Sequence, residues 1–325
     1  KTYLSFRILE SSLVTHEDMQ TVRGYLAILS LLGAIIAFGG CDRNPTTAEA
    51  STPERPQVVV TTTMLTDLAR TLGGDAVEVT GIMSPGGDPH LYQPTPRDAR
   101  TVANSDLAIR SGLTLEGWMK DLIDNAGGER PVVVASDGVD AIRGASTEYD
   151  VDPHFWFDLQ EWRVAVDNVE EGLVQVVGRE TPEAQAIERR AEAYRERLAA
   201  LHEWVGSQIA TIPEQNRVLI TSHDAFAYFG RTYDIRVVGI QGISTEQEAA
   251  QRDVADVIDL VNETGAPAVF VETSVNPSLI EQVARETGVK VAGPLYSDSI
   301  GPAGSAAETF IGTVVQNVRM ITEGL

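Results

Sequence analysis

The chain has 325 residues and carries 47 Asp and Glu against 25 Lys and Arg, a formal charge of −22. That length allows two domains of ordinary size, each able to bury a core of its own. Such a negative field repels nucleic acid and anionic membrane surfaces and attracts cations, and the single cysteine excludes disulfides and thiolate clusters within the chain.

The first readable segment is "MQTVRGYLAILSLLGAIIAFGGC", with Arg23, an apolar run from Tyr25 to Phe38, two glycines and Cys41. It is too short and wrongly flanked for a settled membrane span and reads as a secretory signal over residues 19–40. The small residues before the cysteine resemble the lipobox of bacterial lipoproteins, in which Cys41 is lipidated and becomes the new N-terminus. Phe38 stands where an aliphatic residue is usual. Residues 1–18 precede a plausible start Met and read as a start-site artefact. Asp42, behind the cysteine, is similar to the signal that holds enteric lipoproteins at the inner membrane, so a Gram-negative source would imply the periplasmic face of that membrane. Residues 41–56 then form a lipidated tether, polar and rich in Pro, Thr and Ala, with no apolar period. Residues 1–40 hold three basic and three acidic side chains, so the acidity belongs to the body that follows.

From residue 57 short β-branched runs alternate with helical stretches. "VVVTTT" (58–63), "VEVTGIM" (77–83), "LAIR" (107–110) and "PVVVAS" (131–136) predict strands. Between them "MLTDLARTLGG" and "TPRDARTVANS" predict helices, the second with a Thr cap and Pro at its first position. The grammar restarts at "RVLITS" (217–222) and continues through "RVVGI" (236–240), "PAVFVETS" (267–274) and "VKVAG" (289–293). Strands separated by helices imply mainly parallel sheets flanked by helices, hence two α/β lobes over 57–180 and 214–325. Residues 181–213 join them: opened by Thr-Pro and rich in Ala, Glu, Arg and Leu, they predict one long rigid helix, about 45 Å at 1.5 Å per residue. A helix also starts at "DLQEW", with Asp158 as its cap.

Two of the five histidines share one setting: His90 and His154 each follow Asp-Pro, in "GGDPHLYQPTP" and "DPHFWFD". Each proline fixes φ ahead of its imidazole and lowers the entropy cost of presenting it. His223 in "TSHDAFAYFG" and Asp298 in "YSDSIGPAG" lie just past predicted strands of the second lobe, where open α/β sheets bind ligands. Three imidazoles and a carboxylate, two per lobe, are thus placed to meet in the cleft on one divalent cation. Their spacings of 64, 69 and 75 residues match no short metal signature, and each His bonded singly at a turn is the plainer reading. His202, alone on the connecting helix, reads as a structural residue. Asp88 and Asp152 either orient the neighbouring rings or simply open turns. Glu272, ending "VFVE", reads as a carboxylate supporting a ligand or as a reserve ligand. Trp156 and Phe157 read as walls against water, and Trp118, Trp162 and Trp204 as packing residues.

These motifs, with "GIQGISTEQEA" and "VFVETSVNP" between them in the same order, resemble the metal-binding receptors of bacterial ABC importers for zinc, manganese and related ions. The resemblance runs from about residue 57 to the C-terminus. It implies two α/β lobes joined by one long helix, a metal ion held in the cleft between them, and delivery of that ion to a membrane permease by a lipid-anchored, monomeric, extracytoplasmic receptor. Matched by motif, the ligands it implies are His90, His154, His223 and Asp298. Some manganese receptors carry Glu where His223 stands, and the His-rich acidic loop of many zinc receptors is missing. Three nitrogens and one oxygen suit Zn²⁺ ahead of Mn²⁺. Two other classes fit parts of the pattern: a secreted zinc hydrolase, which would need an open coordination position for water, and a surface adhesin with a structural metal.

Overall fold

The computed structural model describes residues 55–143, 150–246 and 249–325. The expected leader, Cys41 and nearly all of the tether fall outside the described residues.

The first lobe is a sheet of β1 (Gln57–Val60), β2 (Glu78–Gly81), β3 (Leu107–Arg110) and β4 (Val132–Val134) in the order β2-β1-β3-β4, every neighbouring pair parallel. The second repeats the plan with β5 (Val218–His223), β6 (Arg236–Gln241), β7 (Ala268–Glu272) and β8 (Lys290–Leu295) in the order β6-β5-β7-β8, again all parallel. Parallel strands need crossovers, and the helices α1 (Thr63–Gly73), α2 (Pro96–Ala103), α3 (Gly117–Ala126), α6 (Ala227–Tyr233), α7 (Gln251–Thr264) and α8 (Ser278–Thr287) supply them. In each sheet the chain leaves the first strand to one side and returns on the other. This makes a switch point between β1 and β3, and another between β5 and β7, where strand-end loops splay apart.

Local chemistry explains where the elements stop. The Thr61–Thr63 run, expected to extend the first strand, turns out of the sheet after Val60, because the Thr62 hydroxyl accepts from Leu65 N–H at 3.4 Å and caps α1. Thr95 caps α2 with Pro96 at its first position, and Asp98 completes a reciprocal capping box. Asp158 caps α4 (Leu159–Val177) through Gln160 N–H at 2.9 Å.

Between the sheets in sequence runs α5 (Pro182–Ile209), capped by Thr181 and about 42 Å long at 1.5 Å per residue. It ends four residues ahead of Pro213, which can neither donate to the helix nor let the residue before it stay helical. Its buried side chains Ala184, Ile187, Ala191, Tyr194, Leu198, Leu201, Val205 and Ile209 recur every three or four positions, one stripe along the whole helix. That stripe packs on α4, α1 and the last helix, α9 (Phe310–Gly324). One hydrophobic core therefore runs from Val58 and Leu107 of the first sheet through α4 and α5 to Phe270 and Leu295 of the second, with Trp162 and Phe310 stacked at 4.3 Å within it.

Candidate metal centre

The four side chains singled out by motif come together. His90 lies in the loop after β2, and His154 opens the short 3-10 turn Phe155–Phe157 ahead of α4. His223 is the last residue of β5 itself rather than a loop residue, and Asp298 follows β8. One nitrogen from each ring and one Asp298 oxygen all lie within 4.8 Å of one another. His90 Nε2 faces His154 Nε2 at 3.4 Å, while Asp298 Oδ1 is 3.5 Å from His154 Nε2 and Oδ2 is 3.5 Å from His223 Nε2. Bonds of about 2.0–2.1 Å to tetrahedral zinc would put neighbouring donors about 3.3–3.4 Å apart, and the three separations given are of that size. His154, His223 and Asp298 are 0–1 % exposed and His90 is 8 % exposed, which makes the His90 edge the side open to water. There the cleft is bordered by Leu91, Tyr92, Trp118 and Ser244. On the inner side Trp156 stands edge-on to His154 at 5.2 Å. Phe157 turns away to pack on Phe226 at 4.2 Å and is no part of that wall.

Two of the ligand candidates have a carboxylate behind the ring. Asp152, fully buried, takes both His154 N–H at 2.9 Å and Nδ1 at 2.7 Å on one oxygen, which fixes the ring with Nε2 towards the cluster. Glu272 ends β7 beside β5 at the switch point. It accepts His223 N–H at 2.9 Å and brings its other oxygen within 2.6 Å of His223 Nδ1, close but off the line of a hydrogen bond. Asp88 behaves differently: it accepts His90 N–H at 2.8 Å, and its second oxygen takes the Thr245 hydroxyl of the other lobe at 2.5 Å, with no contact to the ring. The same Asp-Pro-His tripeptide thus orients an imidazole in one copy and pins a turn across the cleft in the other.

The electrostatics follow. Burial works against a proton on His154, but Asp152 and Asp298 outweigh it and raise the imidazole to about 9. Burial likewise opposes protonation of His223, and Glu272 with Asp298 still hold it well above the ordinary value. His90 has no carboxylate behind its ring, so burial wins and lowers it to about 3. Asp298, despite burial, is held well below the usual carboxylate range by His223 and His154. The cluster thus pairs one imidazole kept neutral and two that favour a proton with an ionised carboxylate.

Comparisons with known proteins show the family. Residues 58–324 match the family model described as "Zinc-uptake complex component A periplasmic". The chain belongs to this family of ABC-importer metal receptors. The receptor is 37 % identical over 303 residues to the manganese-binding lipoprotein MntA of Bacillus subtilis, covering 91 % of this chain and 97 % of that protein. It is 34 % identical over 306 residues to the zinc-binding protein TroA of Treponema pallidum, covering 92 % and 96 %. The solved structure of TroA superposes with a TM-score of 0.79 at 33 % identity, over 83 % of this receptor and 99 % of that chain.

Several residues of the site carried no sequence signal of their own. Trp118, read as packing, donates its indole N–H to Pro89 O at 2.9 Å and buttresses the His90 turn. Ser274 and Ser297 bond Asp298, and Thr245 holds Asp88. Glu116 is buried at the other switch point, where it accepts the Thr61 hydroxyl and Ser111 N–H at 2.6 Å each and Gly112 N–H at 3.1 Å. The first lobe thereby fills with its own carboxylate the kind of strand-end position that the second lobe uses for His223. His202, on α5, bonds the Tyr233 hydroxyl at 3.0 Å.

Proposed function

We propose that the receptor binds one divalent transition-metal ion through His90, His154, His223 and Asp298, zinc ahead of manganese, and hands it to an ABC permease from outside the cytoplasm. The observation that carries this reading is the meeting of His90, His154, His223 and Asp298 from two lobes, each offering one donor atom within 4.8 Å of the others. Three imidazoles and one carboxylate match the tetrahedral N/O sets of zinc, whereas Mn²⁺ prefers more oxygen and ranks below zinc at almost any such site. MntA is named for manganese and TroA for zinc, so the ion carried here is a matter for measurement. Four protein ligands leave no open position for a metal-bound water, which argues against hydrolase chemistry. Lipidation of Cys41 would tether the body at the membrane beside its permease, on the periplasmic face of the inner membrane in a two-membrane cell, with the receptor working as a monomer of lobes 57–180 and 214–325 joined over 181–213.

The test is metal analysis of receptor purified from its native host without added metal, paired with zinc–manganese competition in chelator buffers. The expected result is one ion per chain, with zinc displacing manganese. Two tightly held ions, or none, would overturn the reading.

A further inference from the structure

We propose that the Thr245–Asp88 hydrogen bond is a latch across the mouth of the metal cleft, broken each time an ion enters or leaves, so that it sets the rate of exchange rather than the affinity. This rests on the ligand assignment above and adds to it a pair of residues outside the ligand set. His154, His223 and Asp298 are 0–1 % exposed and His90 is 8 % exposed, so an ion reaches the cluster past His90. The walls of that approach come from both lobes: Leu91, Tyr92 and Trp118 from the first and Ser244 from the second. Asp88 stands two residues before His90, and Thr245 directly follows Ser244. The Thr245 hydroxyl donates to Asp88 Oδ2 at 2.5 Å, and Asp88 Oδ1 takes His90 N–H at 2.8 Å. One carboxylate thereby joins the backbone of the outermost ligand to the opposite wall. The walls cannot part there without breaking the bond from Thr245.

The stretch that carries His90 is tied to the second lobe at another point too, and the two ties differ. Ser84–Gly87 is a tight turn closed by Gly87 N–H on Ser84 O at 3.0 Å, with Pro85 at its second position and Gly86 at φ +82°. Gly86 N–H donates to Ser299 Oγ at 2.8 Å, which also takes the Thr63 hydroxyl at 3.2 Å, and Ile300 N–H returns to Thr63 Oγ1 at 3.0 Å. These bonds all cross between the lobes at a buried place, with Ser299 1 % and Thr63 5 % exposed. Asp88 and Thr245 are only part-buried. Water can take over the partners of the outer bond as it opens, whereas the inner groups would be left unpaired. The inner tie, next to Asp298 in the chain, is therefore the anchor, and the outer tie is the one that opens. A contact made before and after binding but broken in between slows entry and release by the same factor and leaves the equilibrium where it was.

The experiment measures zinc entry by stopped-flow mixing and zinc release into excess chelator for the parent receptor, Thr245→Val and Thr245→Ser. Valine keeps the branched shape and loses the donor. Both rates should rise about tenfold in Thr245→Val, the scale of one hydrogen bond to a carboxylate, with the dissociation constant within about twofold of the parent. Thr245→Ser, which keeps the hydroxyl, should keep the parental rates. Ser299→Ala, which removes the anchor, should instead speed release with entry unchanged, and so weaken zinc binding. Should Thr245→Val not fold, Thr245→Ala at this part-exposed position carries the same expectation. Parental rates in the folded valine or alanine variant would overturn the proposal, as would an equal acceleration in Thr245→Ser. Faster release with unchanged entry in Thr245→Val would overturn it as well, since the bond would then belong to the loaded receptor alone. His223→Ala separates these failures from that of the ligand assignment: zinc binding lost there with parental rates in Thr245→Val sinks the latch alone, whereas undiminished binding in His223→Ala sinks the ligand assignment.

Discussion

At the scale of single residues, the two Asp-Pro-His tripeptides make the sharpest contrast in the molecule. Asp152 touches the ring of His154, so it sets both the direction and the basicity of that ligand; Asp88 touches only the backbone of His90 and the Thr245 hydroxyl. Asp152→Asn keeps the size of the side chain but removes the charge behind the imidazole. It is expected to weaken zinc binding about 10–100-fold in chelator competition, the usual cost of losing a carboxylate behind a metal-bound histidine. Asp88→Asn should cost far less affinity, because the ring of His90 has no such partner to lose. Equal losses in the two variants would show that the tripeptide acts through its turn and not through its carboxylate. The histidines themselves separate in the same assay: His223→Ala should abolish tight binding, and His202→Ala, whose ring bonds Tyr233, should leave it unchanged.

At the scale of elements, the position of His223 depends on a glycine in the neighbouring strand. A side chain on Gly239 of β6 would place its first carbon 2.3 Å from Asp224 N and 2.5 Å from His223 C, so the chain can turn out of β5 only where β6 has none. Gly239→Ala is therefore expected to lower both the melting temperature and the zinc affinity, since the backbone that must yield is the one presenting the ligand; stability lost with affinity intact would show that β6 yields instead. The strands and their parallel order were legible in the sequence because β-branched runs between glycine and proline stops report a buried strand directly. The four candidates were legible because three carry imidazoles, which are scarce in this chain. The sequence did not reveal the hydroxyls on Asp298, the Trp118 bond beneath Pro89 or the burial of Glu116. Serine, tryptophan and glutamate are ordinary at loops and helix starts, and their partners lie across the fold rather than nearby in the chain. The end of β1 departs from the expected strand for a related reason: Thr61–Thr63 has strand-forming side chains, but the same hydroxyls cap helices and bind Glu116, and those bonds decide the outcome.

At the scale of the whole molecule, an ion bound as proposed, by His90 and His154 from one lobe and His223 and Asp298 from the other, would be a cross-link between them, and its binding free energy would add to the stability of the closed body. The shared core and α5 already hold the lobes together, so the metal-free receptor is expected to stay folded and melt at a lower temperature than the loaded one. The pH dependence of that gap follows from the protons the ion displaces. In the metal-free body His154 titrates at about 9 against 6.5 when unfolded, so its stabilising contribution is full below about 6.5 and is lost as pH rises through about 9. His223, also raised, contributes with the same sign, whereas His90, lowered to about 3, stays neutral across this window and contributes no change. Over the same range the ion meets less competition from protons, because its ligands must be neutral imidazoles. Metal-free stability therefore falls while binding strengthens, and the melting gap between zinc-saturated and metal-free receptor should widen from pH 6.5 to 9, with protons released on binding at pH 7. Thermal melts at fixed free zinc across that range, with titration calorimetry at pH 7 in buffers of different ionisation enthalpy, measure both effects. A gap that stays constant, with no protons released, would mean that His154 and His223 are already neutral in the metal-free body and that Asp152 and Glu272 orient their rings without charging them.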